Sequence, residues 1–96
     1  MSNPYLNQII SSPNLVYILW VDAQTQGEGG WITGDDAEEF AKTPPPEMRT
    51  VGFLLHKTDE YVSVTDSIGD EETGNITTIP TVMIKNIIAL SKKEDL

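Results

Sequence analysis

His56 is the only histidine of the chain, and any acid–base or nucleophilic chemistry would have to depend on it. A Ser–His–Asp arrangement places a serine hydroxyl against a histidine that a carboxylate orients. The candidates here are Ser63, Ser67 and Ser91 with Asp22 or Asp66, and no motif groups them. Thiolate chemistry is excluded because the chain has no cysteine. We therefore predict a protein that is not an enzyme and that needs no cofactor and no metal.

Aromatic and basic side chains offer binding chemistry instead. Trp31 leaves a glycine-rich stretch, so its ring is either a lid that closes over a bound group or a plug in the core. Arg49 presents a guanidinium suited to bidentate contact with phosphate, and aromatic rings stack on nucleobases. The predicted site for a nucleotide-type anion consists of Trp31, Arg49, His56, Lys57 and Tyr61. Binding should strengthen as the pH falls toward about 6, because His56 gains charge.

The stretch from Thr50 to Ser67 must position most of these residues, and its pattern predicts a β-hairpin. Two runs rich in β-branched and aromatic residues flank a polar break at 57–60. The first run is apolar on both faces, which predicts a central strand. Strict alternation gives one face Val51, Phe53 and Leu55, and the other Gly52, Leu54 and His56. A glycine within such a bulky strand predicts a close approach of the backbone.

The remaining elements follow from similar signals. Residues 15–23 are apolar on both faces and should form a bent first strand. Residues 35–42 should form a helix capped by Asp35, because Glu38 follows three residues later. An exposed, mobile loop at 68–75 should then lead to a fourth strand at 76–79, a 3₁₀ turn at 81–83 and a last strand at 84–91.

Together these elements predict a mainly β (α+β) fold. We expect a small, strongly bent antiparallel β-barrel of the SH3-like or Sm-like type, with the short helix between the first and second main strands. The barrel domain should span residues 15–91. Residues 1–14 should form an N-terminal arm, and residues 92–96 a disordered tail.

Composition limits the partners of this domain. The 96 residues carry a net charge of −9, from fifteen acidic and six basic residues. The basic residues are scattered, whereas a protein that binds duplex nucleic acid concentrates them against phosphates. No apolar run approaches the roughly 18 residues of a membrane span. We therefore predict a cytoplasmic protein that binds neither duplex nucleic acid nor membranes.

One resemblance adds to this reading. The chain resembles small uncharacterised proteins of tailed bacteriophages. The features that carry the resemblance are Trp20-Val21-Asp22-Ala23, the glycine-rich gap, Trp31, the acidic helix, Thr50-Val51-Gly52 and the Ile79-Pro80 step before the last strand. The resemblance covers about residues 16–90. It implies a small SH3/Sm-like β-barrel of phage or prophage origin, which would act in the cytoplasm of the host cell, and it carries over no catalytic residue.

Two functions remain open at this point. The first is a counter-defence protein that sequesters a nucleotide-type signalling molecule. The second is a structural or regulatory module that docks on a host or phage protein. We expect a homo-oligomer in either case, because exposed strand edges favour self-association.

Overall fold

The structure, a computed structural model, describes residues 14–27 and 29–91. Within these ranges the chain forms five β-strands, one α-helix and one 3₁₀ turn. In chain order they are β1 (Leu15–Val21), α1 (Gly34–Ala41), β2 (Glu47–Lys57), β3 (Tyr61–Thr65), β4 (Ile76–Pro80), η1 (Thr81–Met83) and β5 (Ile84–Ala89). The prediction of a mainly β fold with one short helix between the first two strands is confirmed. The predicted arm, apart from Asn14, and the predicted tail lie outside the described residues.

The five strands form one antiparallel sheet in the order β4-β3-β2-β1-β5. The prediction of a closed barrel is wrong. Closure would require the two outermost strands to exchange backbone hydrogen bonds. Among the described residues β4 pairs only with β3, and β5 pairs only with β1. The 3₁₀ turn η1 joins these two strands in sequence, but each has an edge that pairs with no strand in the part of the chain that the structure describes.

β2 is the central strand, and its eleven residues serve two partners. Residues 47–53 pair with β1, and residues 53–57 pair with β3. The predicted hairpin across 50–67 is therefore confirmed. Its turn is fixed by Thr58, whose hydroxyl accepts the backbone N–H groups of Glu60 and Tyr61, each at 3.1 Å.

A β-bulge interrupts the pairing of β2 with β3. Leu54 pairs with Val64, but the next paired residues are His56 and Ser63, so Leu55 is the extra residue. Strict alternation would have kept His56 on the face of Leu54. The bulge shifts the alternation by one residue and turns His56 to the opposite face, so the predicted face of His56 is wrong.

The core lies on one face of the sheet and contains Val16, Ile18, Val62, Val64 and Ile79. These side chains are at most 5% exposed, as expected for β-branched residues at alternate strand positions. Trp20 packs beside them, and its indole N–H donates to the Thr50 hydroxyl at 2.9 Å.

Gly52 lies where β2 approaches β3 closely, as its position in a bulky strand predicted. A Cβ atom added at Gly52 would lie 2.8 Å from the backbone oxygen of Thr65 and 3.3 Å from Cβ of Val64. Real Cβ atoms do not approach a backbone oxygen so closely. The side-chain-free residue therefore permits the tight packing of the two strands at this point.

Residues 22–46, the β1–β2 connection, leave the sheet and return to it. The N–H of Asp22 donates to the carbonyl of Pro46 at 3.0 Å and closes the base of the connection. Helix α1 begins after Thr33, whose hydroxyl accepts the N–H of Asp36 at 3.2 Å. The prediction of Asp35 as the cap is wrong, because Thr33 holds the extended conformation of a cap and Asp35 lies within the first turn.

The other boundaries differ from the predictions by one or two residues. β1 ends at residue 21 rather than 23, β5 ends at 89 rather than 91, and β4 includes Pro80. The predicted 3₁₀ turn at 81–83 is confirmed. Backbone hydrogen bonds order the acidic stretch at 68–75. The N–H of Gly69 donates to the carbonyl of Glu72, and the N–H of Gly74 donates to the carbonyl of Ser67.

Candidate binding surfaces

His56 and Tyr61 form an aromatic pair at the end of the β2–β3 hairpin. Their ring centroids lie 5.8 Å apart, with the ring planes tilted by 43°. Both residues are exposed. The bulge at Leu55 produces this arrangement, since it turns His56 to the face that Tyr61 shares with Ser63.

Two hydroxyl groups extend this surface across the sheet. Ser63 pairs with His56 on one side and with Thr78 on the other. The Ser63 and Thr78 hydroxyl oxygens lie 2.8 Å apart and share a hydrogen bond. The hairpin surface (His56, Tyr61, Ser63 and Thr78) therefore offers an imidazole, a phenol and two hydroxyls on one open face, which suits weak contact with an anion or a planar ring.

The other predicted site residues lie elsewhere. Lys57 pairs with the buried Val62 and so belongs to the face opposite His56. Arg49 lies seven residues from His56 along the same strand, which corresponds to roughly 23 Å at 3.3 Å per residue. Arg49 pairs with Leu19 rather than with any residue of the hairpin. The structure therefore brings together only His56 and Tyr61 of the five predicted site residues.

Trp31 lies in the β1–β2 connection, outside the sheet. It is fully exposed, at 102% relative accessibility, and the neighbouring Ile32 is 39% exposed. Of the two roles left open for Trp31, the core plug is wrong, because the ring is fully exposed and does not pack against the described core. Indole rings are large apolar surfaces that proteins usually bury at least in part, so full exposure of Trp31 is unusual.

Helix α1 follows Trp31 and is amphipathic. No residue of the helix is buried, and its apolar face is limited to Ala37, Phe40 and Ala41. Phe40 is half-buried, and sequence reasoning had not included it in any site. Its position in the last turn of the helix, on the apolar face, was the available signal.

An open cavity of about 240 Å³ lies between the helix and the loop that precedes it. Its lining residues are Gln26, Asp36, Glu39, Phe40 and Thr43. Small-molecule sites usually have volumes of about 300–1,000 Å³. Two carboxylates in the wall would also repel phosphate, so this cavity does not suit a nucleotide.

The β1–β2 connection is strongly acidic. Its sequence holds six acidic residues and one basic residue, Lys42. The Lys42 ammonium is engaged by Glu38 at 2.9 Å, one helical turn away. The connection therefore presents a negative potential around the exposed indole, and this potential favours positively charged partners.

Glu47 and Lys85 form an ion pair at the other end of the sheet. The ammonium and carboxylate lie 2.5 Å apart, across β1, which separates β2 from β5. The hydrogen bond from Lys85 and its positive charge lower the pKa of Glu47 below its ordinary value. Arg49 contributes a smaller lowering of this pKa. Both side chains are exposed, so the pair contributes little to stability.

Comparison with protein-family models, with curated proteins and with solved structures finds no match to this chain. Among the described residues, no three His, Cys, Asp or Glu side chains are grouped closely enough to hold a metal ion. Over the same part of the chain, no helix has both the length and the apolar character of a membrane span. His56 has no hydrogen bond to a described serine or carboxylate.

Proposed function

We propose that this protein is a non-enzymatic docking module that binds a basic protein surface through its β1–β2 connection. The observation that carries the proposal is the full exposure of Trp31. Tryptophan is among the residues that contribute most to binding when they enter a partner's pocket. An exposed indole that packs against none of the residues that the structure describes is free to act as such an anchor.

The surroundings of Trp31 support a protein partner rather than a small ligand. Ile32, the next residue in the chain, is 39% exposed, and helix α1, which begins two residues later, carries the exposed carboxylates of Asp35 and Asp36 in its first turn. An apolar centre with a charged rim is the usual anatomy of a protein–protein interface. The rim is acidic, so the matching surface is basic.

The β1–β2 connection is also a suitable carrier for an anchor. Its ends are held together by the hydrogen bond from Asp22 to Pro46, and three prolines at 44–46 stiffen the return to β2. The sheet thus serves as the scaffold and the connection as the contact element. The resemblance to small phage proteins implies a phage-encoded chain, and its partner would then belong to the host cell. We include in the same proposal that the sheet is related to SH3-like or Sm-like folds.

The experiment is capture from a bacterial lysate with three immobilised proteins: wild type, Trp31→Ala and Val82→Ala. Val82 is the matched control, because it is 94% exposed but lies in η1, outside the connection. We expect a basic protein retained by wild type and Val82→Ala, lost with Trp31→Ala, and released as salt is raised. Capture of no protein, or equal capture by Trp31→Ala, would overturn the proposal.

A second candidate function is sequestration of a nucleotide-type anion, and the pairing of His56 with Tyr61 favours it. A nucleobase stacks on such rings at about 1–3 kcal/mol per base. The hydroxyls of Ser63 and Thr78 lie in the same row of the sheet and can donate to a phosphate. We rank this function second because the surface is open and Arg49 and Lys57 lie away from it.

A further inference from the structure

The sheet has a second side, opposite the core, that is apolar over part of its area. In β1, Val16 and Ile18 enter the core, so Leu15 and Tyr17 point to the opposite side. Antiparallel sheets usually carry polar residues on the side away from the core. β1 instead carries apolar residues on both sides, so its outer side is suited to burial.

Neighbouring strands continue this surface in two rows. In the first row Leu15 pairs with Phe53 of β2, and both are half-buried. In the second row Tyr17 pairs with Val51 of β2 and with Ile88 of β5. Val51 is 55% exposed and Ile88 is 45% exposed. We call these five residues the outer face.

The third row limits what can cover this side of the sheet. In that row Leu19 pairs with Arg49, and Arg49 is exposed. Two copies of the chain stacked on this side would bring their Arg49 side chains together, and like charges repel. A short segment that covers only the first two rows leaves the guanidinium in solvent, so it fits this side better than a second copy.

The chain enters the described part of the structure beside the first row. The carbonyl of Asn14 accepts the N–H of Leu54 at 2.6 Å, one residue before β1 begins. Residues 1–13 precede this point and lie outside the described residues. The sequence Ser12-Pro13-Asn14 has the composition of a turn, since proline presets φ and asparagine tolerates turn conformations. A turn here allows the preceding segment to return along the sheet over the outer face.

The composition of residues 1–13 suits an apolar surface. The segment contains no charged side chain, so it can be buried against the outer face without desolvating a charge. Apolar residues recur in it as two pairs at a spacing of four, and this spacing groups them on one side of a helical turn. These residues are Tyr5, Leu6, Ile9 and Ile10.

The segment is also long enough to reach the second row. Val51 lies roughly 11 Å from Asn14, because it is three residues along the sheet, at about 3.3 Å each, and one strand across, at about 4.8 Å. Ile9 lies five residues before Asn14, and five residues span up to about 16 Å. Ile9 can therefore contact the centre of the outer face.

We propose that residues 1–13 of this chain fold back over the outer face and cover its two rows with the apolar side chains of residues 5–10. Arg49 then remains in solvent at the margin of the contact. The covered rows are closed to other chains, and the β1–β2 connection is left as the element that contacts a partner.

The test is disulfide trapping in the full-length protein, which has no cysteine of its own. One variant carries Ile9→Cys with Val51→Cys, and its matched control carries Ile9→Cys with Val82→Cys. Val82 is more exposed than Val51, at 94% against 55%, but lies in η1. A disulfide requires Cα atoms about 4.4–6.8 Å apart. In dilute protein under mild oxidation, we expect mass spectrometry to show an intramolecular disulfide in most of the first variant and in little of the control.

Two outcomes of the trapping experiment would overturn the proposal. Equal disulfide yields in the two variants would show that the segment has no preference for the outer face. A disulfide-linked dimer of the variant with Ile9→Cys and Val51→Cys would show that a second copy, rather than the same chain, reaches this face.

Thermal unfolding gives a second measurement that needs no cysteine. Ile9→Ser should lower the melting temperature, because it removes apolar area from the contact with the outer face. Gln8→Ser, at the neighbouring polar position, is the control and should leave the melting temperature unchanged. An Ile9→Ser protein that melts at the wild-type temperature would refute the contact. Trp31→Ala should abolish docking without changing the disulfide yield, so this proposal and the docking function can fail independently.

Discussion

Replacement of Gly52 by alanine tests the packing of β2 on β3 directly. The added Cβ would lie 2.8 Å from the Thr65 carbonyl oxygen, whereas ordinary contacts begin at 3.4 Å. The two strands must therefore separate by about 0.6 Å, the difference between these distances. Thr65 is only 1% exposed and is held between β2 and β4, so its backbone has little room to move.

Overpacking of this kind costs about 1–3 kcal/mol. A domain of this size loses about 4–8 °C of melting temperature per kcal/mol, so Gly52→Ala should melt roughly 4–24 °C below the wild type. Gly52→Val should be worse, because its two methyl groups also meet Val64. The stability of such a small domain is about 5–10 kcal/mol, so the alanine variant should still fold.

Thermal unfolding followed by circular dichroism measures this effect, and Gly34→Ala is the matched control. No atom lies within 4 Å of a Cβ added at Gly34, which is the first residue of helix α1. Alanine there removes freedom from the unfolded chain and should raise stability by up to about 1 kcal/mol. A Gly52→Ala protein that melts at or above the wild-type temperature would refute the account of close strand packing.

Two further predictions concern single side chains. Lys85→Met should raise the pKa of Glu47 toward its ordinary value, measured by NMR titration of the carboxyl group, because the hydrogen bond and charge that lower it are removed. A carboxyl pKa that is lower in the folded than in the unfolded protein adds stability at neutral pH, and this stability is lost as the pH falls through the lowered pKa. An unchanged Glu47 titration in Lys85→Met would contradict the role of Lys85 in lowering that pKa. For the second candidate function, calorimetric titration with cyclic and linear nucleotides should show binding that is lost in His56→Ala, because the stacking ring is removed; absence of binding, or equal binding by that variant, would exclude the hairpin surface.

Local sequence patterns were sufficient for most of the fold. The hairpin across 50–67 followed from alternation around a polar break, because side-chain period and turn composition are local properties. The close approach at Gly52 and the 3₁₀ turn after Pro80 followed from the same kind of signal. The helix also followed from its pattern, although its cap was assigned to Asp35 rather than Thr33, since several acidic and hydroxyl residues compete at that boundary.

The errors concern relations between elements. The bulge at Leu55 depends on how β2 fits against β3, and no feature of the strand's own sequence marks it. Barrel closure depends on whether β4 and β5 meet, which is a property of the whole sheet. Both errors concern candidate binding surfaces, since the bulge determines the face of His56, and the open sheet leaves two strand edges unpaired among the described residues.

The candidate site was harder to predict than the fold. Residue types alone grouped Trp31, Arg49 and His56. Trp31, however, lies in a loop, Arg49 lies in the first half of β2, and His56 lies near the other end of that strand. Composition cannot give such distances. The apolar outer side of β1 was visible in the sequence as a strand apolar on both faces, and the structure adds which residues of β2 and β5 extend it.

The most direct test of the docking account is the solvent accessibility of the Trp31 ring, free and in complex with the captured basic partner. It is obtained from acrylamide quenching of the fluorescence of wild type and of Trp31→Phe. The variant retains only Trp20, so subtraction of its fluorescence from that of the wild type leaves the signal of Trp31. The account predicts that the indole is as accessible as free tryptophan in the isolated protein and becomes shielded in the complex. A ring that is already shielded in the isolated protein, or one that stays equally accessible in the complex, would contradict it.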